Sequence, residues 1–191
     1  PANGKIQPEM EVKISPDVSG EITELTIKEG DWVEKGDLLL RINPEIYAAN
    51  LDRMKASLNN MKSNLSQQKA QLKDTELKHN RNTNLFNKKA ISSAEYETSQ
   101  NNYEMAQLAV EASQYSVKSS EASLKEAQNN LNRTSIYAPI SGTISRLNVE
   151  KGERVVGTAQ MTGTELLRIA DLSYMEVVVD VNENDILRVN L

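Results

Sequence analysis

No cysteine occurs among the 191 residues, so a disulfide framework, a thiolate metal site and thiol chemistry are all excluded. Aromatic residues make up 4% and apolar residues 38%, which argues against one large core and for an elongated molecule with small cores. There is no apolar run long enough to cross a bilayer as a helix and no signal-peptide pattern. The chain starts abruptly at Pro1 and stops at Leu191, just after the strand-like run from Met175 to Val181. Both ends read as cuts, so the lack of membrane or targeting segments here is not taken as a lack in the native protein. Histidine is limited to His79, and no second histidine or convergent pair of acids stands near it in the pattern. No catalytic residue, metal site or cofactor is therefore expected, and the chain does not read as an enzyme. A net charge of −5 speaks against nucleic acid as a partner.

Glycine and proline are also missing, but only from the middle. All eight glycines and all five prolines lie outside residues 45–138, leaving a long stretch without a helix breaker. The flanks carry a repeat. Ser19-Gly20-Glu21-Ile22-Thr23-Glu24-Leu25 through Gly30-Asp31-Trp32-Val33 returns 122 positions later as Ser141-Gly142-Thr143-Ile144-Ser145-Arg146-Leu147 through Gly152-Glu153-Arg154-Val155. Each copy closes alike, Gly36 leading to Leu39-Leu40-Arg41-Ile42 and Gly163 to Leu166-Leu167-Arg168-Ile169. Alternating apolar residues in a repeat of this length predict two similar β-units packed on each other. The middle is then an insertion whose ends lie close together. Trp32, at an apolar strand position after Gly30, is expected in the core.

Inside the insertion, seam positions recur with 3,4 spacing: Tyr47, Leu51, Met54, Leu58, Met61, Leu65, Gln68, Leu72, Thr75, His79, Asn82 and Phe86. A second series runs Tyr96, Ser99, Tyr103, Ala106, Val110, Ser113, Val117, Ser120, Leu124, Ala127 and Leu131. Two such helices joined through Asn87 to Ser93 predict an antiparallel coiled-coil hairpin. From Leu51 on, the series pair in one register: Leu51 by Leu131, Leu58 by Leu124, Leu65 by Val117, Leu72 by Val110 and His79 by Tyr103. Gln68 facing Ser113 is expected as a polar layer that lowers stability and penalises register slips. About 40 residues per arm at ~1.5 Å each give a reach on the order of 60 Å. Lys69, Lys73, Lys78, Arg81, Lys88 and Lys89 outnumber Asp74 and Glu76 near the turn, so that end is basic on an acidic protein, or simply carries solvated helix faces.

The Ser15-Pro16-Asp17-Val18-Ser19-Gly20 and Ala138-Pro139-Ile140-Ser141-Gly142 segments, with Lys28-Glu29-Gly30-Asp31 and Val149-Glu150-Lys151-Gly152, resemble the two halves of a biotinyl/lipoyl domain. Where a carrier domain has its modified lysine, Asn43-Pro44-Glu45 opens the helical insertion instead. The whole layout resembles the HlyD-like periplasmic adaptors, or membrane fusion proteins, of tripartite efflux and secretion systems. Long arms and the loop Val155 to Gln160 make it most similar to the MacA type.

The resemblance implies an α+β fold: a split lipoyl-like β-sandwich with a long inserted antiparallel coiled-coil hairpin, plus a partial β-barrel domain. Residues 1–14 would be a strand from that barrel, 15–43 the first lipoyl half, 44–132 the hairpin with its tip at about 87–93, 133–170 the second half, and 171–191 the start of the truncated barrel. It further implies a periplasmic location, an inner-membrane anchor absent from this chain, and assembly into a homo-oligomer of six. The expected partners are a TolC-like outer-membrane channel and an inner-membrane transporter, ABC type first and RND or type I secretion as alternatives. Arg81, Leu85 and Ser92 match the R-x3-L-x6-S spacing used by such adaptors to engage the channel. Read as residues alone, Arg81 and Leu85 share a helix face and Ser92 caps the next helix, with Glu95 as its capping-box partner; these roles could be purely structural. By the same resemblance Gln160 would line a gate loop in the central channel, against the alternative of a surface loop. Two readings of other classes stay open: a lipoyl or biotinyl carrier domain, which lacks its lysine here, and a coiled-coil interaction module unrelated to transport.

Overall fold

Hydrogen bonds between the repeat halves show why the repeat exists. The computed structural model describes residues 4–158 and 163–179. The strands are β1 (Gly4–Ile14), β2 (Gly20–Leu25), β3 (Trp32–Val33), β4 (Leu38–Ile42), β5 (Ser135–Tyr137), β6 (Gly142–Leu147), β7 (Arg154–Val155) and β8 (Leu167–Val179). Two helices, α1 (Glu45–Asn87) and α2 (Ser93–Asn132), lie between β4 and β5. The fold is thus mixed helix and sheet. By internal packing it divides into two units, the helical stretch Glu45–Leu131 and the sheets formed by the flanks.

One sheet has the order β1-β8-β6-β3 and the other β5-β4-β2-β7. The repeat maps the second onto the first strand for strand: β2 matches β6, β3 matches β7 and β4 matches the start of β8. Each half lends its short strand to the other, since Trp32 pairs with Thr143 while Glu21 pairs with Arg154. The cross-connections come in matched pairs. Gly30 N donates to Ile144 O at 2.9 Å and Gly152 N to Ile22 O at 2.8 Å. Lys35 N donates to Ser141 Oγ and Gly157 N to Ser19 Oγ, both at 2.9 Å. The recurring serine therefore accepts a backbone N–H that would otherwise be unpaired at the junction of the halves.

The turns that precede β3 and β7 are built alike. Gly30 and Gly152 take φ of 91° and 89°, a region closed to most side chains. Asp31 Oδ2 accepts Lys28 N at 2.8 Å and Glu153 Oε2 accepts Glu150 N at 3.0 Å, so each acid closes its own turn. The core draws equally on both copies: Ile22, Val33, Leu39, Leu40 and Ile42 are buried, as are Ile144, Val155, Leu166, Leu167 and Ile169. A Cβ at Gly142 would stand 2.7 Å from the Ala170 carbonyl oxygen, so only glycine lets β6 pass β8 there.

Trp32 is not a core residue: it is 60% exposed while Val33 is 3% exposed. Successive strand residues face opposite sides, and Val33 takes the inward one. The repeat carried the signal, because Trp32 aligns with Arg154, a residue that has no place in an apolar core.

β8 runs unbroken through residue 170, paired antiparallel with β1 along its length. The register shifts between Pro8 and Met10, where Leu172, Ser173 and Tyr174 oppose Glu9 alone. Asp171 Oδ1 accepts Ser173 N at 2.9 Å in this irregularity, and that bond holds its carboxyl below the ordinary range. A second polar knot sits where β1 meets β8. Arg168 Nε lies 2.5 Å from Glu165 Oε1 and its Nη1 3.2 Å from Glu11 Oε2. The Arg168 bond keeps the Glu165 carboxyl low, and Glu165 in turn raises the guanidinium.

In the helical unit the buried residues are Leu58, Ser99, Ala106, Val110, Val117 and Ala127. All six belong to the 3,4-spaced series, which is why residues of middling helix propensity hold two helices of 43 and 40 residues. Side chains cross between the helices along their length: Lys62 pairs with Glu121 at 3.5 Å, Ser113 Oγ donates to Asn64 Oδ1 at 3.1 Å, and the His79 ring stacks on Tyr103. Gln68 is half-buried, and the hydrogen-bond partner of Ser113 is Asn64 rather than Gln68.

Candidate functional site

The end of the helix pair holds the candidate site. α1 stops at Asn87 although no glycine or proline follows it; the chain reverses through Lys88 to Ser92. The stop is made by backbone bonds. Lys89 N donates to Phe86 O at 2.8 Å and Ala90 N to Leu85 O at 2.9 Å, the paired pattern that closes a helix C-terminus. The pattern demands a left-handed residue, and Lys89 supplies it with φ 56°, the one non-glycine residue at positive φ among those described.

α2 starts on a capping box. Glu95 N donates to Ser92 Oγ at 3.3 Å, and Ser92 N donates to Glu95 Oε2 at 3.1 Å. Two N–H groups that the first turn leaves unpaired are thereby satisfied. Behind the turn four rings tie the helices: Phe86 on Tyr96 with centroids 4.7 Å apart, Tyr96 near His79 at 5.6 Å, and His79 parallel to Tyr103 at 5.4 Å. The 3,4 spacing pairs His79 with Tyr103 and, in the same register, Phe86 with Tyr96, and both pairs stack. His79 Nδ1 is buried without a hydrogen-bond partner, and the ring lies against the Tyr96 and Tyr103 rings.

On this scaffold Arg81 is exposed and makes no ion pair among the described residues, whereas Lys78 is tied to Asp74 at 2.7 Å. Leu85, one turn on, is half-buried and its carbonyl closes the helix. Ser92 is exposed and committed to the cap. All three lie in the last turns at the same end of the pair. An open groove of about 750 Å³ runs back along the pair from there, lined by Gln68, Thr75, Lys78, Asn82, Ile91 and Met105 among others.

Gln160 lies outside the described residues. Both ends of its loop are pinned: Thr158 N donates to Pro16 O at 2.9 Å, and Thr164 N to Val156 O at 3.1 Å. Among the described residues no cluster of three or more potential metal ligands occurs, and no helix is long and apolar enough to cross a membrane.

Two sheets exchanging strands across an internal repeat, with a helical insertion in the chain between β4 and β5, define a barrel-sandwich hybrid of the kind found in transport adaptors. Residues 10–166 match the family described as "RND MFP, barrel-sandwich hybrid domain", MFP standing for membrane fusion protein, and the chain belongs to that family. It is 35% identical over 188 residues to the pyoverdine export membrane fusion protein PvdR of Pseudomonas aeruginosa, covering 98% of this chain and 48% of that protein. It is 28% identical over 186 residues to the macrolide export protein MacA of Escherichia coli, covering 97% and 50%. The crystal structure of MacA from Actinobacillus actinomycetemcomitans superposes with a TM-score of 0.91 at 30% identity, covering 97% of this chain and 57% of that one. The chain spans about half the length of the curated relatives it matches.

Proposed function

We propose that this chain is the sandwich-and-helix part of a periplasmic adaptor that bridges an inner-membrane transporter to a TolC-like outer-membrane channel, and so forms one element of a sealed export conduit. The two sheets act as a split lipoyl-like sandwich, α1 and α2 as a coiled-coil hairpin, and residues 171–179 as the start of a β-barrel domain; the remainder of that expected segment, 180–191, lies outside the described residues. Six copies side by side, as the resemblance to MacA-type adaptors implies, make the duct. Gln160 serves on the loop that narrows it, and the polar seam positions Gln68 and Ser113 penalise register slips, Ser113 through its bond to Asn64.

The observation that carries this reading is a helix end closed by backbone bonds and a capping box, with Arg81 exposed and in no ion pair among the described residues, one turn from the half-buried Leu85. A guanidinium fork next to an apolar side chain on a capped turn suits docking to carbonyls and carboxylates at the mouth of another protein. The names of the relatives, pyoverdine export and macrolide export, support export as the task. An ABC transporter is the first partner by resemblance to the MacA type; the family's own description favours an RND transporter as the second.

Arg81→Asp or Leu85→Asp, placed in the full-length protein, should abolish export while leaving helical content and unfolding midpoint nearly unchanged. Loss of folding in both variants would make these residues structural and remove the docking assignment.

A further inference from the structure

The exposed Trp32 is unexplained by the fold, since its neighbour Val33 fills the core position. It borders an open hollow of about 430 Å³ with Thr26, Asp31, Asp37 and Leu38. Asp31 and Asp37 each accept one backbone N–H through Oδ2, from Lys28 and Glu34, which fixes both carboxylates at the rim.

The repeat supplies a second face to compare with the first. Position for position, Trp32 corresponds to Arg154, Glu29 to Lys151 and Glu24 to Arg146. Between Gly20 and Val33 acids outnumber bases by four to one; between Gly142 and Val155 bases outnumber acids by three to two. Arg146, Lys151 and Arg154 are exposed and form no ion pair among the described residues. Both turns end in the short strand that terminates its sheet, β3 on one side and β7 on the other. One architecture has thus been given an acidic, aromatic edge and a basic edge.

We propose that these edges are the two sides of a contact between copies of this chain: the Trp32, Asp31 and Asp37 hollow of one copy receives Arg154 and Lys151 of the next. An indole flanked by carboxylates is a site for a guanidinium, which stacks on the ring while pairing with the acids. Because the edges differ, the contact is head-to-tail, the type that builds rings or filaments rather than closed pairs. The proposal rests on the side-by-side assembly proposed above and assigns it one interface.

Trp32 is the only tryptophan, so intrinsic fluorescence reads this contact directly. Emission and acrylamide quenching of the chain would be followed from about 1 μM to about 500 μM, with sedimentation in parallel. The expected result is a blue shift and reduced quenching that rise together with association. Arg154→Glu should move the midpoint to at least about tenfold higher concentration. Raising NaCl should move it the same way. Lys125→Glu, an equal charge change on α2, should leave it in place. Association with Trp32 still fully quenchable, or an equal effect of both variants, overturns this contact while leaving side-by-side assembly standing. A chain that stays monomeric throughout overturns the contact and withdraws self-assembly from this part of the molecule.

Discussion

Lys89→Gly should make the helical unit more stable, against the usual cost of glycine. Lys89 sits at the closing position of α1 with φ 56°, held there by the bonds from its own N–H to Phe86 and from Ala90 N–H to Leu85. A side chain in the left-handed region costs about 1–2 kcal/mol, because its Cβ crowds the following carbonyl. Glycine removes that crowding but adds freedom to the unfolded chain worth about 0.5–1 kcal/mol. The balance favours Lys89→Gly by about 0.5–1 kcal/mol, since the two bonds it leaves in place are already near ideal length. The assay is urea unfolding followed by helical circular dichroism, with Lys89→Ala as reference because it removes the charge and keeps the Cβ. A midpoint for Lys89→Gly no higher than for Lys89→Ala would refute the strain argument. If Lys89→Gly is more stable and also exports poorly in the full-length protein, the lysine is kept for its charge at the helix end.

Gly142→Ala should destabilise the sheet unit by about 1–3 kcal/mol in thermal unfolding, because the new Cβ meets backbone, the Ala170 carbonyl oxygen at 2.7 Å. Its repeat counterpart Gly20→Ala should cost a similar amount, since the new Cβ meets the Ile42 Cγ2 methyl at 2.5 Å and Ile42 is a fully buried, β-branched side chain with little freedom to turn. Acid should weaken the sheets through two depressed carboxyls. Glu165 and Asp171 bind protons less readily folded than unfolded, so their contribution is present above the ordinary carboxylate range and is lost as pH falls below about 4. Glu165→Gln should flatten that part of the stability profile, and an unchanged acid limb would place the titration elsewhere.

The repeat and the 3,4 spacing were the legible parts of this sequence because both are set by core positions. Burial leaves periodic marks, as at Ile22 and Ile144 or at Val110 and Val117. One copy alone places Trp32 in the core; laid against Arg154, the outward face is evident. The closing of α1 was not legible, because the usual glycine is replaced by Lys89 and the stop is written in backbone bonds. Nor was the Arg168 knot: its partners Glu11 and Glu165 come from distant and near sequence together, whereas the matching Arg41 pairs with Glu24. The capping box at Ser92 and Glu95 is local and could be read directly.

The most direct test of the adaptor account uses the absence of cysteine from these 191 residues, with any cysteine elsewhere in the full-length protein replaced by serine. Ser92→Cys in the full-length protein, with Ser63→Cys as an exposed control on α1, would be crosslinked in cells and the adducts identified. The account predicts an adduct between position 92 and a TolC-like outer-membrane channel, with none from position 63. Expression in the periplasm with no channel adduct from position 92, or equal adducts from both positions, would contradict docking through this end of the helix pair.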